Sequence, residues 1–410
     1  MRISPRTAHE IDSPMGATYA LLADRAGERA LLDLAQAAPQ YPPPPEVIEH
    51  IIEVGREAGS AAYVPSPGLP RLREAFAADL SQAYRSPVGA DQMVVTSGCN
   101  QAFCLVAQAL AEPGDEVIEA LPYYFNYDMW LRMNGVVPRY LEPGPDLVPS
   151  PVAAEALITP RTRAIVLVSP GNPSGVTIPP DVLAGFATVA ARHDVALIVD
   201  ETYRSFRDTE EPAHGLFTDP DWARTVVSLH SFSKDLAIPG YRVGAVLASP
   251  EVNREVMKLL DCVAICAPRI GQEAAWAGLT AARRWRRARA AEVADKRRWL
   301  ATAMAERPGG FESVSAGGFF AWMRHPFTER PTDDVTRELV TRYDTLVIPG
   351  TAFLRDDRQM FRVSVGNLDR AGIADFTERL RLMGQDYLRR ATSPGRAECS
   401  RPGSGSGERD

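Results

Sequence analysis

The sequence predicts an α/β protein whose large domain holds a mostly parallel sheet between helices and whose smaller domain is α+β. Two observations favour this fold class. Short apolar runs rich in β-branched residues recur between residues 93 and 248, with helical stretches between several of them. Such runs are typical of strands buried on both faces of a parallel sheet. A long basic helix then leads into a second group of strand-like runs.

Residues 1–45 are predicted to be an N-terminal segment that contributes to the smaller domain. Within this segment, residues 17–30 carry a helical pattern. Pro42–Pro45 are predicted to be extended, because each proline fixes its own φ and disfavours helix before it. This proline run therefore connects the segment to the large domain.

Residues 46–285 are predicted to form the large domain, and residues 286–391 the smaller one. The expected strands are residues 93–96, 116–120, 164–168, 195–199, 225–229 and 243–248, followed by 318–323, 346–348 and 361–365. The expected helices are residues 46–58, 69–83, 101–111, 180–192 and 283–304. Residues 392–410 are rich in Ser, Gly, Pro and charge, so we expect a disordered tail.

The composition excludes several classes of function. The formal net charge of −7 argues against a nucleic-acid-binding protein, which usually carries a basic face. No stretch of 18 or more apolar residues is present, so no membrane span is expected. The five cysteines form no CxxC pair and fit reduced thiols in the cytoplasm. The six histidines are scattered without an HExxH motif, and we expect no metal site.

Candidate binding residues follow the predicted strands, because ligands bind beyond the carboxyl ends of parallel strands. Ser97-Gly98-Cys99-Asn100 follows the first strand and opens a helix. Its backbone N–H groups and the positive end of the helix dipole suit a phosphate. An ordinary strand-to-helix turn has the same pattern, so both interpretations stay open.

Two further strand ends carry side chains suited to a flat ligand. The aromatics of Leu121-Pro122-Tyr123-Tyr124-Phe125-Asn126-Tyr127 are suited either to stacking on a ring or to packing in the core. Asn172 lies between prolines and glycines in Ser169-Pro170-Gly171-Asn172-Pro173-Ser174-Gly175. These neighbours fix the position of its amide, although Asn-Pro is also a common turn dipeptide.

Charged residues follow the next two strands. Asp200 ends an apolar run and needs either a protonated ring nitrogen or a structural arginine, since an unpaired buried charge is costly. Lys234 follows in His230-Ser231-Phe232-Ser233-Lys234, with Arg242 eight residues on, and suits an amine nucleophile beside a phosphate site. Together the strand ends supply what pyridoxal phosphate requires, a lysine for a Schiff base and a carboxylate for the ring nitrogen.

The chain resembles the fold-type I pyridoxal-phosphate enzymes, specifically the class I and II aminotransferases, from about residue 34 to residue 371. The most specific motifs are Pro170-Gly171-Asn172-Pro173-Ser174-Gly175, Asp200-Glu201-Thr202-Tyr203, and Ser231-Phe232-Ser233-Lys234 with Gly240-Tyr241-Arg242-Val243-Gly244. Tyr63 with Gly68, and Phe361-Arg362-Val363-Ser364, also match the family. The resemblance implies a transaminase that moves an amino group between an L-amino acid and a 2-oxo acid by a ping-pong route.

The resemblance also implies roles around the cofactor ring. Lys234 would form the Schiff base and then shuttle a proton, and Asp200 would keep the ring nitrogen protonated. Tyr203 and Asn172 would hydrogen-bond the 3-hydroxyl oxygen of the ring. Tyr124 would stack on the ring.

Further roles concern the phosphate, the substrate and a second subunit. The phosphate would be held by Gly98, Cys99, Asn100, Ser231, Ser233 and Arg242. Arg362 would bind the substrate α-carboxylate through a bidentate fork, with Asn172 beside it. Tyr63 would reach the phosphate of the neighbouring subunit, which implies a homodimer with shared active sites.

Two positions depart from the family pattern or lack a defined role. Ala37 stands in Gln36-Ala37-Ala38-Pro39, where the family usually has a substrate-contacting glycine, so its Cβ is expected to narrow the pocket or shift the backbone. Arg269 precedes Gly271-Gln272, where the family brings a loop to the partner's site. It is expected either to read an acidic substrate side chain or to be an ordinary surface arginine.

Two other functions are compatible with parts of the sequence. Ser233-Lys234-Asp235-Leu236 and Pro122-Tyr123-Tyr124 also resemble the aminocyclopropane-carboxylate synthase branch, whose members eliminate a γ-leaving group from S-adenosylmethionine. A silent regulator with an aminotransferase-like module would need a DNA-binding domain. The chain before Leu34 is too short for one and not notably basic.

Overall fold

The computed structural model of the chain describes residues 1–392. Apart from Thr392, the predicted disordered tail lies outside the described residues. The helices are α1 (Pro5–Ala8), α2 (Pro14–Ala20), α3 (Pro45–Arg56), α4 (Pro70–Tyr84), α5 (Cys99–Leu110), α6 (Phe125–Met133), α7 (Pro151–Glu155), α8 (Pro180–His193), α9 (Pro250–Ala264), α10 (Arg269–Ala281), α11 (Arg283–Met304), α12 (Thr332–Tyr343) and α13 (Arg370–Thr392). The strands are β1 (Leu32–Asp33), β2 (Met93–Thr96), β3 (Glu116–Ala120), β4 (Val137–Leu141), β5 (Thr162–Val168), β6 (Ala196–Asp200), β7 (Val226–Ser231), β8 (Gly244–Leu247), β9 (Glu312–Gly317), β10 (Phe320–Arg324), β11 (Thr345–Leu346), β12 (Ile348–Pro349) and β13 (Met360–Ser364).

The main sheet has seven strands in the order β2-β8-β7-β6-β5-β3-β4. Strand β8 is antiparallel to both of its neighbours, and the remaining pairs are parallel. The predicted mostly parallel sheet between helices is therefore confirmed. Strand β4 is absent from the sequence prediction. It contains Pro138 and partly exposed side chains, which suit its position at the edge of the sheet.

Alternate residues of the central strands pack into apolar clusters on opposite faces of this sheet. On β5, Ile165 and Leu167 belong to one cluster, and Ala164 and Val166 to the other. Both faces are covered by helices, which explains why these strands are apolar throughout. The parallel strands β3, β5, β6 and β7 consequently end at one common edge of a buried sheet.

The second sheet is antiparallel, with the order β12-β13-β10-β9. A separate parallel pair joins β1 to β11, with Leu32 opposite Thr345. Leu34 packs in the same apolar cluster as residues of the second sheet and α13. This contact supports an N-terminal segment that belongs with the smaller domain, while the predicted boundaries at residues 45, 285 and 391 stay predictions.

The predicted helix over residues 17–30 is wrong beyond Asp24, and it begins earlier, at Pro14. The α-helix ends at Ala20, a short 3₁₀ turn follows to Asp24, and residues 25–30 are not helical. Arg25 instead pairs with buried Asp344, and Ala26 N–H donates to the Thr341 carbonyl at 3.0 Å. These tertiary contacts override the local helical preference.

The predicted extended connector is one residue too long. Pro45 is the first residue of α3, a position where proline is favoured because its missing N–H would have no helical partner.

Among residues 1–392, no helix is long and apolar enough to cross a membrane.

Candidate active site

A cavity of about 370 Å³ lies at the carboxyl edge of the seven-stranded sheet. Twelve of the predicted site residues line it: Ala37, Cys99, Asn100, Tyr124, Asn172, Asp200, Tyr203, Ser231, Ser233, Lys234, Arg242 and Arg362. It is also lined by Met15, Gln36, Phe125, Asn126, Thr202 and Pro239, which the sequence reasoning did not select. The structure thus brings together residues that are more than 300 positions apart in the chain.

Asp200 is the buried acid of the cavity. One carboxylate oxygen accepts from the Tyr127 hydroxyl at 2.8 Å, and the other accepts from the Thr202 N–H at 2.9 Å and the Cys99 thiol at 3.5 Å. Burial raises the pKa of Asp200, and these donors partly oppose that rise. Within the described chain no lysine, arginine or histidine pairs with it, so the structural-arginine alternative finds no support and a cationic ligand atom suits this position.

Tyr127 is a site residue that the sequence reasoning did not select. Its ring stacks on Phe103 with centroids 3.7 Å apart, and its hydroxyl is fixed against Asp200. The available signal was the aromatic cluster of residues 121–127, in which Tyr127 lies three positions after Tyr124, and the two ring centroids are 5.0 Å apart.

Replacing Tyr127 by Phe is expected to weaken cofactor binding about tenfold, because Asp200 loses a hydrogen bond to its charged form. The measurement is the dissociation constant of pyridoxal phosphate, together with the pH dependence of the bound cofactor's visible spectrum. Tyr140→Phe is the matched control, since Tyr140 donates to Asp128 at 2.6 Å and does not line the cavity. Equal losses in both variants would contradict a specific role for Tyr127.

Lys234 follows β7, and its ammonium donates to the carbonyl of Ala37. Burial, Arg362 and Arg242 together lower the pKa of Lys234 to about 8. Desolvation and nearby positive charge both disfavour the protonated amine. The lowered pKa increases the share of uncharged, nucleophilic amine near neutral pH, while the protonated form still predominates below about pH 8.

This lowered pKa predicts how uptake of the cofactor depends on pH. The rate at which the cofactor-free protein takes up pyridoxal phosphate should rise with pH and level off above about pH 8, because only the neutral amine attacks an aldehyde. In Arg362→Gln, loss of the neighbouring charge should move the midpoint to higher pH. An unchanged midpoint in that variant would refute the electrostatic explanation.

One end of the cavity is suited to a phosphate. Gly98, with a φ of +89°, precedes α5, and a Cβ there would lie 2.4 Å from Nη2 of Arg242. Arg242 donates to the Pro239 carbonyl at 2.9 Å, and the Ser233 N–H donates to the Ser231 hydroxyl at 3.2 Å. A left-handed glycine, two hydroxyls, an arginine and a helix start thus converge on one anion-binding corner.

Arg362 lines the same cavity from β13. It is buried and donates to Oδ1 of Asn172 at 2.7 Å and to the Ala35 carbonyl, with its guanidinium over the Phe320 and Phe353 rings. Burial lowers its pKa to about 10, so it remains protonated at neutral pH. It has no carboxylate partner in the described structure, and its Nε lacks an acceptor, which suits an incoming carboxylate.

Three of the predicted residues, Gly98, Tyr63 and Arg269, are not among those that line this cavity. Tyr63 is 77% exposed and does not line the cavity of its own chain. Arg269 pairs with Glu57 at 2.7 Å and with Glu273 at 3.4 Å. Its guanidinium is thus engaged by acidic residues of its own chain. No cluster of metal-binding residues occurs among residues 1–392.

Known proteins share this sequence and this architecture. The family profile described as aminotransferase class I and II matches residues 29–380. An aromatic aminotransferase of Arabidopsis thaliana is 31% identical over 360 residues, covering 85% of this chain and 89% of the relative. An arginine–pyruvate transaminase of Pseudomonas aeruginosa is 31% identical over 339 residues, covering 80% and 83%. A single mutant of Thermus thermophilus aspartate aminotransferase has a TM-score of 0.85 at 27% identity, covering 93% of this chain and 100% of that one.

Proposed function

The chain belongs to the aminotransferase class I and II family and is a pyridoxal-phosphate-dependent aminotransferase, and on that premise we propose which residues carry the reaction. The predictions of fold-type I, of the cofactor and of transamination are confirmed, and the names of the relatives favour transamination over the lyase alternative. One observation carries the assignment of roles. In the cavity, buried Asp200 has no cationic partner, while Lys234, Arg242 and Arg362 have no anionic partner among residues 1–392.

These unpaired charges match the charges of pyridoxal phosphate and an amino acid. Asp200 would hold the proton of the ring nitrogen, and Tyr124 would cover the ring. Tyr203 and Asn172, which line the cavity, would donate to the 3-hydroxyl oxygen. When bound, the cofactor supplies an electron sink for the electron pair left at the substrate's Cα.

The phosphate and the substrate would occupy opposite sides of the cavity. The phosphate would be held by Gly98, Cys99, Asn100, Ser231, Ser233 and Arg242. Arg362 would orient the substrate through its α-carboxylate, with Ala37 and Asn172 against the bound molecule. This would place Cα beside Lys234, whose Nζ would accept the proton from Cα and deliver it to C4′ of the bound cofactor, as the general acid–base of the reaction.

We propose that the protein is a homodimer with shared active sites, which would give Tyr63 its role. Tyr63 is exposed, and so are Ile48 and Ile52 on α3 and Ile270 on α10, a helix that packs against α3. A second copy would cover these apolar side chains and bring Tyr63 to the partner's phosphate. Light scattering should give twice the chain mass, and Tyr63→Phe should weaken cofactor binding. A monomer would refute both the dimer and the role of Tyr63.

We also propose a cytoplasmic location. It is supported by four free thiols, those of Cys99, Cys104, Cys262 and Cys266.

A half-reaction tests the function directly. The purified protein, loaded with cofactor and mixed with an amino donor alone, should release one equivalent of 2-oxo acid and retain pyridoxamine phosphate. This is the signature of a ping-pong transaminase. S-adenosylmethionine is the comparison substrate, because release of methylthioadenosine from it would instead support the lyase alternative.

A further inference from the structure

A second cavity, of about 1040 Å³, lies along α11 from Arg283 to Ala301. The end of α4, residues 204–210, Asp235 and Ala316 form its other walls. We call this cavity the arginine cleft. It shares no lining residue with the active-site cavity, so the cofactor and the substrates of the proposed function leave it unassigned.

The arginine cleft carries excess positive charge in a protein whose formal net charge is −7. Eight arginines and five acidic residues line it, which leaves three positive charges in excess. Its only apolar lining residues are alanines, and the residues of the proposed subunit interface, Tyr63, Ile48, Ile52 and Ile270, are absent from it. The core of a subunit interface typically carries large apolar side chains, so this surface suits an anionic ligand better than a second copy of the chain.

Acidic residues hold the inner arginines of the cleft in place. Arg286 donates to Asp79 at 2.9 Å and to Asp235 at 2.6 Å, and Arg204 also donates to Asp79. Burial alone would raise the pKa of Asp79, but these two arginines lower it below its ordinary value. The inner wall of the cleft is therefore an ordered network of guanidinium and carboxylate groups.

Three other arginines of the cleft have no firm acidic partner. Among residues 1–392, Arg283 forms no hydrogen bond or ion pair, and Arg207 donates only to two backbone carbonyls. Arg287 lies 3.8 Å from Glu210, and both side chains are exposed. Exposed ion pairs contribute little to stability, so these guanidinium groups can turn towards a ligand at little cost.

Alanines leave open space between arginines along α11. Ala290, Ala291 and Ala294 line the cleft between Arg287 and Arg298. Each contributes only a methyl group, while the two arginines are about three helical turns apart. An elongated anion can therefore lie along this stretch of the helix and meet several guanidinium groups at once.

We propose that the arginine cleft binds a polyphosphate, either free or as the phosphate chain of a nucleotide. The planar fork of a guanidinium matches two phosphate oxygens, and this geometry favours arginine in phosphate sites. A single phosphate would engage one or two forks, whereas a chain of phosphates engages several and offsets the excess positive charge. The volume of the cleft also suits a ligand of nucleotide size.

Calorimetry on the cofactor-loaded enzyme tests this proposal, because the bound cofactor already fills the phosphate corner of the active site. Tripolyphosphate should bind once per chain, at least about tenfold more tightly than orthophosphate. ATP is the second probe. Tighter binding of ATP than of tripolyphosphate would support a nucleotide as the ligand, and weaker binding of ATP would support free polyphosphate. Failure of both probes to bind would overturn the proposal.

Neighbouring positions on α11 supply matched variants. Arg283→Gln should weaken tripolyphosphate binding about tenfold, because it removes one guanidinium fork from the cleft. Arg284→Gln is the control, since Arg284 is exposed and does not line the cleft. It should leave the affinity nearly unchanged. Equal weakening in both variants would indicate a general effect of net charge and would overturn the proposal.

A negative charge introduced into the cleft provides an independent test. Ala291 is exposed and lines the cleft, so Ala291→Glu should weaken tripolyphosphate binding at least about tenfold by repelling the phosphates. Ala288→Glu, at an exposed position of α11 outside the cleft, is the matched control. Unchanged affinity in Ala291→Glu would overturn the proposal. The transaminase half-reaction should persist in both variants, which shows that each remains folded.

Discussion

Lys234→Ala is expected to lower kcat by at least about 10⁴-fold, because the variant loses both its amine nucleophile and its general acid–base. The visible absorption band of the bound cofactor should change at the same time, since that band depends on the covalent link to Lys234. The pKa of about 8 makes this lysine reactive near neutral pH. Steady-state kinetics and an absorption spectrum measure the two effects.

Lys258→Ala is the matched control, because Lys258 is exposed and its ammonium donates to Glu255 at 2.8 Å, away from the cavity. It should retain the parent activity and spectrum. Persistence of the parent cofactor band in Lys234→Ala would show that the assignment of the Schiff-base lysine is wrong. Partial rescue of that variant by added methylamine would support the role of a proton-transferring amine.

Arg362→Lys is expected to lower kcat/KM for amino donors about a hundredfold, although the charge is conserved. A lysine lacks the planar fork that binds a carboxylate through two parallel hydrogen bonds. It also cannot reproduce the pair of bonds by which Arg362 joins Asn172 to the Ala35 carbonyl. The loss should appear mainly in KM and in the affinity for carboxylate inhibitors.

A second arginine on the same sheet supplies the control. Arg324 on β10 is exposed, with Glu312 at 3.4 Å, so Arg324→Lys should leave kcat/KM nearly unchanged. Arg362→Lys with unchanged affinity for valerate would contradict the assignment of Arg362 to the α-carboxylate. Retention of the cofactor spectrum in Arg362→Lys would show that its loss of activity does not reflect unfolding.

Much of the candidate site could be predicted because it follows local rules of α/β folds. The apolar runs before Asn172, Asp200 and Lys234 identify buried strands, and parallel strands place their carboxyl ends at one edge. A polar residue at or shortly after the end of such a run therefore faces the ligand region, where Asp200 and Lys234 both lie. The glycine at position 98 likewise marked a turn that requires a φ of +89°.

Other features depend on contacts between distant segments. Tyr127 reaches Asp200 across 73 positions, and Arg362 reaches Asn172 across 190. The antiparallel direction of β8 and the non-helical residues 25–30 likewise depend on neighbouring elements, since Arg25 pairs with Asp344 far along the chain. Propensity and hydrophobic periodicity describe only residues that are close in the sequence, so neither predicts contacts between segments this far apart.

The sequence by itself determined the strand ends, the phosphate turn and the chemical identity of the reactive groups, because these depend on local patterns and on residue type. Only the tertiary structure decided which charged side chains lack an oppositely charged partner, since pairing depends on which distant segments fold against each side chain. Arg269 pairs with Glu57 and Glu273 of its own chain, whereas Arg362 lines the cavity without an anionic partner among residues 1–392.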